Sequence, residues 1–144
     1  MKVVLQRCKK ASVSIEKKVI AKINKGLVIF IGIEKDDKKL NTKLLAKKIL
    51  NLRVFNDLNQ RMNLSIKNIS GSALIISQFT LCAETRRGRR PSYFNAANPK
   101  FSENLYDYFI DEIKKEISVK TGVFGANMDV ELINNGPATF ILEG

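Results

Sequence analysis

The strongest constraint on the fold is an uninterrupted apolar run, Leu27-Val28-Ile29-Phe30-Ile31-Gly32-Ile33. A run of strand length that never alternates with polar residues suits a strand buried on both faces, so a packed layer must lie on each side of it. Ser72–Leu81 opens as a second strand of this kind. Other segments have a half-buried pattern. Residues 19–24 alternate apolar and polar, and residues 2–8 and 11–15 read as short strands with Lys9-Lys10 as a turn or bulge between them. Further short strands are expected near Arg53–Phe55 and Met62. Two more, Met128–Ile133 and Thr139–Leu142, flank a turn-forming Asn134-Asn135-Gly136-Pro137.

Two segments carry helical periodicity. Over 37–52, Leu40, Leu44, Leu45, Ile49 and Leu52 recur at spacings of three and four with lysines opposite, and Asp37 or Asn41 is placed to cap the start. Asn98-Pro99 is a good helix entry, with Asn as cap and Pro in the first turn. Phe101, Leu105, Phe109, Ile113 and Ile117 then repeat every fourth residue, and Thr121-Gly122 ends the segment. There is no internal repeat, low-complexity block or linker. The pattern predicts one α/β or α+β domain over 1–144, with a mixed sheet and one early and one late amphipathic helix.

The chemistry is bounded as sharply by what is missing. The chain has no histidine, which removes the Ser-His-Asp and Cys-His systems and the usual zinc sites. Its two cysteines, Cys8 and Cys82, are too few for a disulfide framework, and a reducing cytoplasm is the expected compartment. No apolar stretch is long enough for a membrane span, and Met1–Arg7 lacks a signal-peptide core. No motif calls for a metal or organic cofactor. The net charge of +11 is uneven: +10 over residues 1–50, +6 over 51–100 and −5 over 101–144. A basic field of this size favours a polyanionic partner, although solvated lysines alone account for the charge equally well.

Two segments stand out as candidate sites. Ser77-Gln78-Phe79-Thr80 lies where a buried strand turns polar, which is either a place to present functional groups or a strand running into solvent. Asn134–Thr139, on spacing alone, is a hairpin turn. Taken together, Ser77-Gln78-Phe79-Thr80-Leu81 and Asn134-x-Gly136-Pro137-x-Thr139 resemble the paired signature of the D-aminoacyl-tRNA (D-tyrosyl-tRNA) deacylase family. In the same order, so do Met1–Arg7 with Ala11-Ser12-Val13, Gly26-Leu27-Val28, Arg87–Ser92 with Ala96-Ala97-x-Pro99, and Thr121-Gly122-x-Phe124-Gly125-Ala126-x-Met128. The resemblance covers nearly the full length. Cys82-Ala83, Asn135 and Ala138 depart from the family pattern on the motif flanks.

The resemblance implies a barrel-like, mostly antiparallel core with two helices. It also implies a homodimer acting on aminoacylated tRNA to cleave the ester between a D-amino acid and the terminal ribose. Ser77, Gln78, Phe79 and Thr80 would form the catalytic segment. Thr80 would attack, or the amides around Phe79 and Thr80 would bind the developing oxyanion while water or the ribose 2′-hydroxyl acts. By the same resemblance, Gly136-Pro137 is a cis bond reaching into the partner's site. Its two carbonyls would form a ledge that bars L side chains but not glycine, braced by Arg7 and lined by Met128. Arg86, Arg87, Arg89 and Arg90 would meet tRNA phosphates, with Lys9, Lys10, Lys17 and Lys18 extending the patch. A non-catalytic RNA-binding protein, a small-ester hydrolase and an interaction protein remain the competing classes.

Overall fold

The computed structural model describes all of residues 1–144. In chain order the elements are β1 (Lys2–Ile15), β2 (Lys18–Ile23), β3 (Gly26–Gly32), α1 (Lys39–Asn51), β4 (Phe55–Asn56), β5 (Met62–Leu64) and β6 (Ser72–Ser77). A 3-10 turn (Phe79–Cys82), α2 (Pro99–Lys114), β7 (Ser118–Thr121) and β8 (Asp129–Glu143) follow. Strands run in the order β2-β1-β3-β6-β7, with β8 on the free side of β1, and β4-β5 form a separate ribbon. The pairs of β1 with β2, β3 and β8 are antiparallel, and those of β6 with β3 and β7 are parallel. The result is a near-barrel, mostly antiparallel α+β domain with two helices.

The apolar run becomes β3 at the sheet centre and is buried on both faces. Leu27, Ile29 and Ile31 join the larger core, in which Leu45 and Ile49 of α1 and Leu105, Phe109 and Ile113 of α2 pack against the sheet. Val28 points the other way, into a smaller core with Cys8, Val13, Leu74 and Ile76. Both layers demanded by the unbroken pattern are therefore present.

Several expectations are corrected. β1 is one strand through Lys9-Lys10, whose side chains are exposed and which lie beside register shifts in its pairing with β8. Helix α1 is capped by neither Asp37 nor Asn41. Lys38 holds the N-cap position without a side-chain bond, and the Asp37 carboxylate accepts instead from the amine of Met1 (2.6 Å) and the amide of Glu34 (2.7 Å). Its buried stripe is Thr42, Leu45, Ala46, Ile49 and Leu50, so Leu40 and Leu44 are left in solvent. Helix α2 starts as expected, with the Asn98 side chain accepting from the Phe101 amide (3.0 Å), but ends at Lys114; Ser118–Thr121 is a strand. Asn134–Pro137 is not a hairpin end: it lies inside β8, whose two halves both pair with β1.

Candidate active site and nucleic-acid interface

The strand β6 carries the polar tip Ser77-Gln78 to the edge of the sheet. Two donors hold it just before the tip: the buried Tyr106 hydroxyl (2.8 Å) and the Gly122 amide (3.3 Å) both donate to the Ile75 carbonyl. The Gln78 amide donates to the Ile31 carbonyl (2.8 Å), one step beyond the strand. The chain then folds into the 3-10 turn, directly over the end of β3. Gly32 makes this approach possible, since a Cβ there would lie 2.9 Å from both the Gln78 carbonyl and the Cys82 sulfur. The turn's bonds begin with the Leu81 amide on the Gln78 carbonyl (3.1 Å), so the amides of Phe79 and Thr80 have no acceptor within the turn.

Ser77, Gln78 and Phe79 open onto a cleft of about 530 Å³, walled by Ala96, Ala97 and Pro99 on one side and by Phe124–Met128 on the other. Its size is within the ~300–1,000 Å³ of small-ligand sites. None of its sixteen lining residues is ionisable. Thr80 is exposed and outside this lining, and its hydroxyl accepts from Gln78 Nε2, a group unable to take up a proton. The nearby Cys82 thiol is buried. Burial chiefly, with the Glu34 charge second, pushes it up to about 11, so it stays protonated at neutral pH.

Met128 is on the cleft wall, whereas Arg7, Gly136 and Pro137 are not. In the pairing of β1 with β8, Gln6 faces Thr139 and Cys8 faces Asn134. Arg7 therefore stands opposite the whole segment between them, which includes the cis Gly136–Pro137 bond. The Arg7 side chain is 4% exposed. Its Nε donates to the Asn135 carbonyl (3.0 Å), its Nη2 to the Gly136 carbonyl (3.1 Å), and its Nη1 to the Val54 carbonyl and to Asn56 Oδ1 (3.3 Å). This buried guanidinium makes no ion pair; two carbonyls of β8, the Val54 carbonyl just ahead of β4 and the Asn56 side chain satisfy it. One lone pair of the Gly136 carbonyl is committed to Arg7, and Gly136 and Pro137 themselves are exposed.

The arginines lie on an excursion pinched at its base. The Glu84 amide donates to the Ser92 carbonyl (2.8 Å), the Ser92 amide returns a bond to Glu84 (3.0 Å), and Gly88 takes the left-handed φ of +72° within the loop. Arg86 is folded back on Glu84 and holds its carboxyl down at about 2, whereas Arg87, Arg89 and Arg90 make no ion pair. Beside the loop base, Phe79 and Tyr93 pack with ring centroids 5.0 Å apart. Both are exposed, as is Phe94. Sequence reasoning missed Tyr93 and Phe94, because a loop has no periodicity from which to judge an aromatic's exposure.

These features define a small α+β domain in which a cleft without acid or base groups borders a cationic, aromatic rim. A family model described as D-Tyr-tRNA(Tyr) deacylase matches residues 4–143. The chain is 50% identical over 144 residues to a D-aminoacyl-tRNA deacylase of Fervidobacterium nodosum, covering 99% of this chain and 97% of that one. It is 49% identical over 145 residues to a protein of the same name from Flavobacterium psychrophilum, with the same coverage. Among solved structures, the c-Myc DNA Unwinding Element Binding Protein superposes with a TM-score of 0.95 at 34% identity, covering 100% of this chain and 99% of that one. One described as a probable eukaryotic D-amino acid tRNA deacylase shares the fold, with a TM-score of 0.84 at 16% identity over 98% of this chain and 97% of its own. The chain belongs to the D-aminoacyl-tRNA deacylase family.

Proposed function

We propose that this protein hydrolyses the ester between a D-amino acid, or mischarged glycine, and the terminal ribose of tRNA, and spares L-aminoacyl esters. The observation that carries the reading is a cleft of substrate size whose lining holds no ionisable side chain, at the tip of the strand that bears Ser77 and Gln78. An activated ester is a substrate for which such a site is adequate. It needs alignment and oxyanion stabilisation more than a strong nucleophile. The amides of Phe79 and Thr80 are the oxyanion donors, and one well-aimed donor contributes roughly 3–4 kcal/mol to the barrier reduction. Gln78 and Ser77 orient the substrate. Water or the ribose 2′-hydroxyl attacks, since the side chain bonded to the Thr80 hydroxyl, Gln78, cannot take up its proton.

Selection against L esters is steric. The Gly136-Pro137 segment, held stiff by Arg7, projects into the cleft of a second copy, where it occupies the space an L side chain requires; Met128 lines that cleft. A side chain of D configuration points away from the obstacle, and glycine has none to exclude. This arrangement makes the working unit a twofold dimer. The segment's exposure and its absence from its own subunit's cleft support it, as do the exposed Ile133 and Ile141 on β8. Arg87, Arg89 and Arg90, with Arg86 behind them, meet tRNA phosphates, and the enzyme works in the cytoplasm.

The test is ester loss from D-Tyr-tRNA and L-Tyr-tRNA incubated with the protein. Rapid loss of the D ester with the L ester intact is expected. Equal rates would reject the chiral filter, and retention of both esters would reject hydrolysis.

A further inference from the structure

The basic loop accounts for phosphates, but not for the aromatic rings beside it. Phe94 is 78% exposed, an unusual placement for a phenyl ring. It is not loosely held. The Lys35 amide donates to the Asn95 carbonyl (3.1 Å) and the Ala97 amide to the Ile33 carbonyl (3.0 Å), and Glu34 and Ala96 form a β-bridge. Residues 93–97 are thus clamped to the segment that leads from β3 to α1. Lys35 Nζ sits 3.8 Å from the Phe94 ring centroid, covering one face of the ring and leaving the rest open. The same loop supplies Ala96 and Ala97 to the cleft wall, and Tyr93 abuts Phe79 at the cleft's polar end.

We propose that Phe94 and Lys35 form a stacking site for an unpaired nucleotide of an RNA 3′ end, upstream of the terminal nucleoside whose ester enters the cleft. The inference rests on the proposed function for the direction in which the strand runs. A base lies on the open face of Phe94, and the Lys35 ammonium over the opposite face holds the ring in place and adds positive charge beside the strand's phosphates. Charge complementarity selects this occupant. The three unpaired arginines of the neighbouring excursion continue the cationic track, and base–aromatic stacking next to such a track is how unpaired strands are held without sequence readout. Within a paired stem both faces of each base are covered by its neighbours, and the open face at a blunt end belongs to a rigid base pair that cannot turn toward Phe94 as an unpaired nucleotide can, so the site favours a single-stranded end over a duplex.

The test is binding of uncharged RNA, followed by fluorescence anisotropy at fixed salt. The probes are an acceptor-stem hairpin carrying its unpaired 3′ nucleotides and the same hairpin cut back to the duplex. The wild-type protein is expected to prefer the overhang form by about tenfold. Phe94→Ala should reduce that preference to within about twofold with an unchanged melting temperature, since the ring is exposed. Arg87→Ala should weaken both probes alike. If Phe94→Ala keeps the tenfold preference, or if the wild type has none, the stacking site is overturned. The same holds if Phe94→Ala changes only the sedimentation of the protein, which would make the ring a contact between copies. None of these readouts involves ester cleavage, so loss of the D-specific activity and loss of this site are separable results.

Discussion

Arg7 carries more of the architecture than any other single side chain at the candidate site. A buried cation without a counter-ion persists only if enough oxygens surround it, and here three carbonyls and one side-chain amide oxygen do so. Arg7→Ala leaves those carbonyls short of a donor in a partly buried setting. The expected loss of stability is about 3 kcal/mol, a fall of roughly 10 °C in melting temperature by calorimetry. On the proposed function the D-to-L rate ratio falls at least about tenfold as well. Arg7→Lys should recover little of either, because an ammonium has no planar fork to span two strands. From the sequence, Arg7 was approachable only through the family resemblance. Its neighbours alternate like any strand, and nothing local reveals that one residue of β1 stands opposite a whole segment of β8. The place of Gln78 at a strand end was legible directly, since a polar pair closes an apolar strand there, but its candidacy as a site residue, like that of Arg7, came from the resemblance.

At the level of elements, β3 and its parallel neighbour β6 were the most readable and β7, on the far side of β6, the least. The apolar run specified burial on both faces, but partner order depends on contacts distant in sequence. Thus β7 was absorbed into the end of the preceding helix, because Ser118–Thr121 is short and only half-buried. The exposed Leu40 and Leu44 misled the phase of α1, since a leucine counts as core in a periodicity reading whatever it meets in space. Close strand approach has its own signature at Gly26, where β3 enters the sheet beside Ser72. A Cβ at Gly26 would fall 1.8 Å from the Ser72 carbonyl oxygen, which is backbone and has nowhere to go. Gly26→Ala should therefore destabilise by roughly 3 kcal/mol, read as a lower urea midpoint at unchanged slope.

For the molecule as a whole, charge is sorted along the chain: the first two segments are strongly basic and the last is acidic. The acidic side chains include Glu103, Asp107 and Asp111 of α2, which share one shallow pocket that no residue of the arginine excursion lines. A polyanion meeting this field is turned as it is drawn in, rim first. With three arginines free of ion pairs, the logarithm of tRNA affinity should fall against the logarithm of salt with a slope of about −3. Removal of Arg87, Arg89 or Arg90 should each make that slope shallower by about one, as filter-binding titrations would measure. The pinched arginine excursion also has a bearing on turnover. On the proposed function, cleaving the aminoacyl bond leaves every phosphate of the polynucleotide as it was, so the spent molecule would depart from the same handholds that captured it. Uncharged tRNA is then expected to compete with the substrate, and turnover in dilute buffer to be paced by its release, which added uncharged tRNA would reveal as a raised KM.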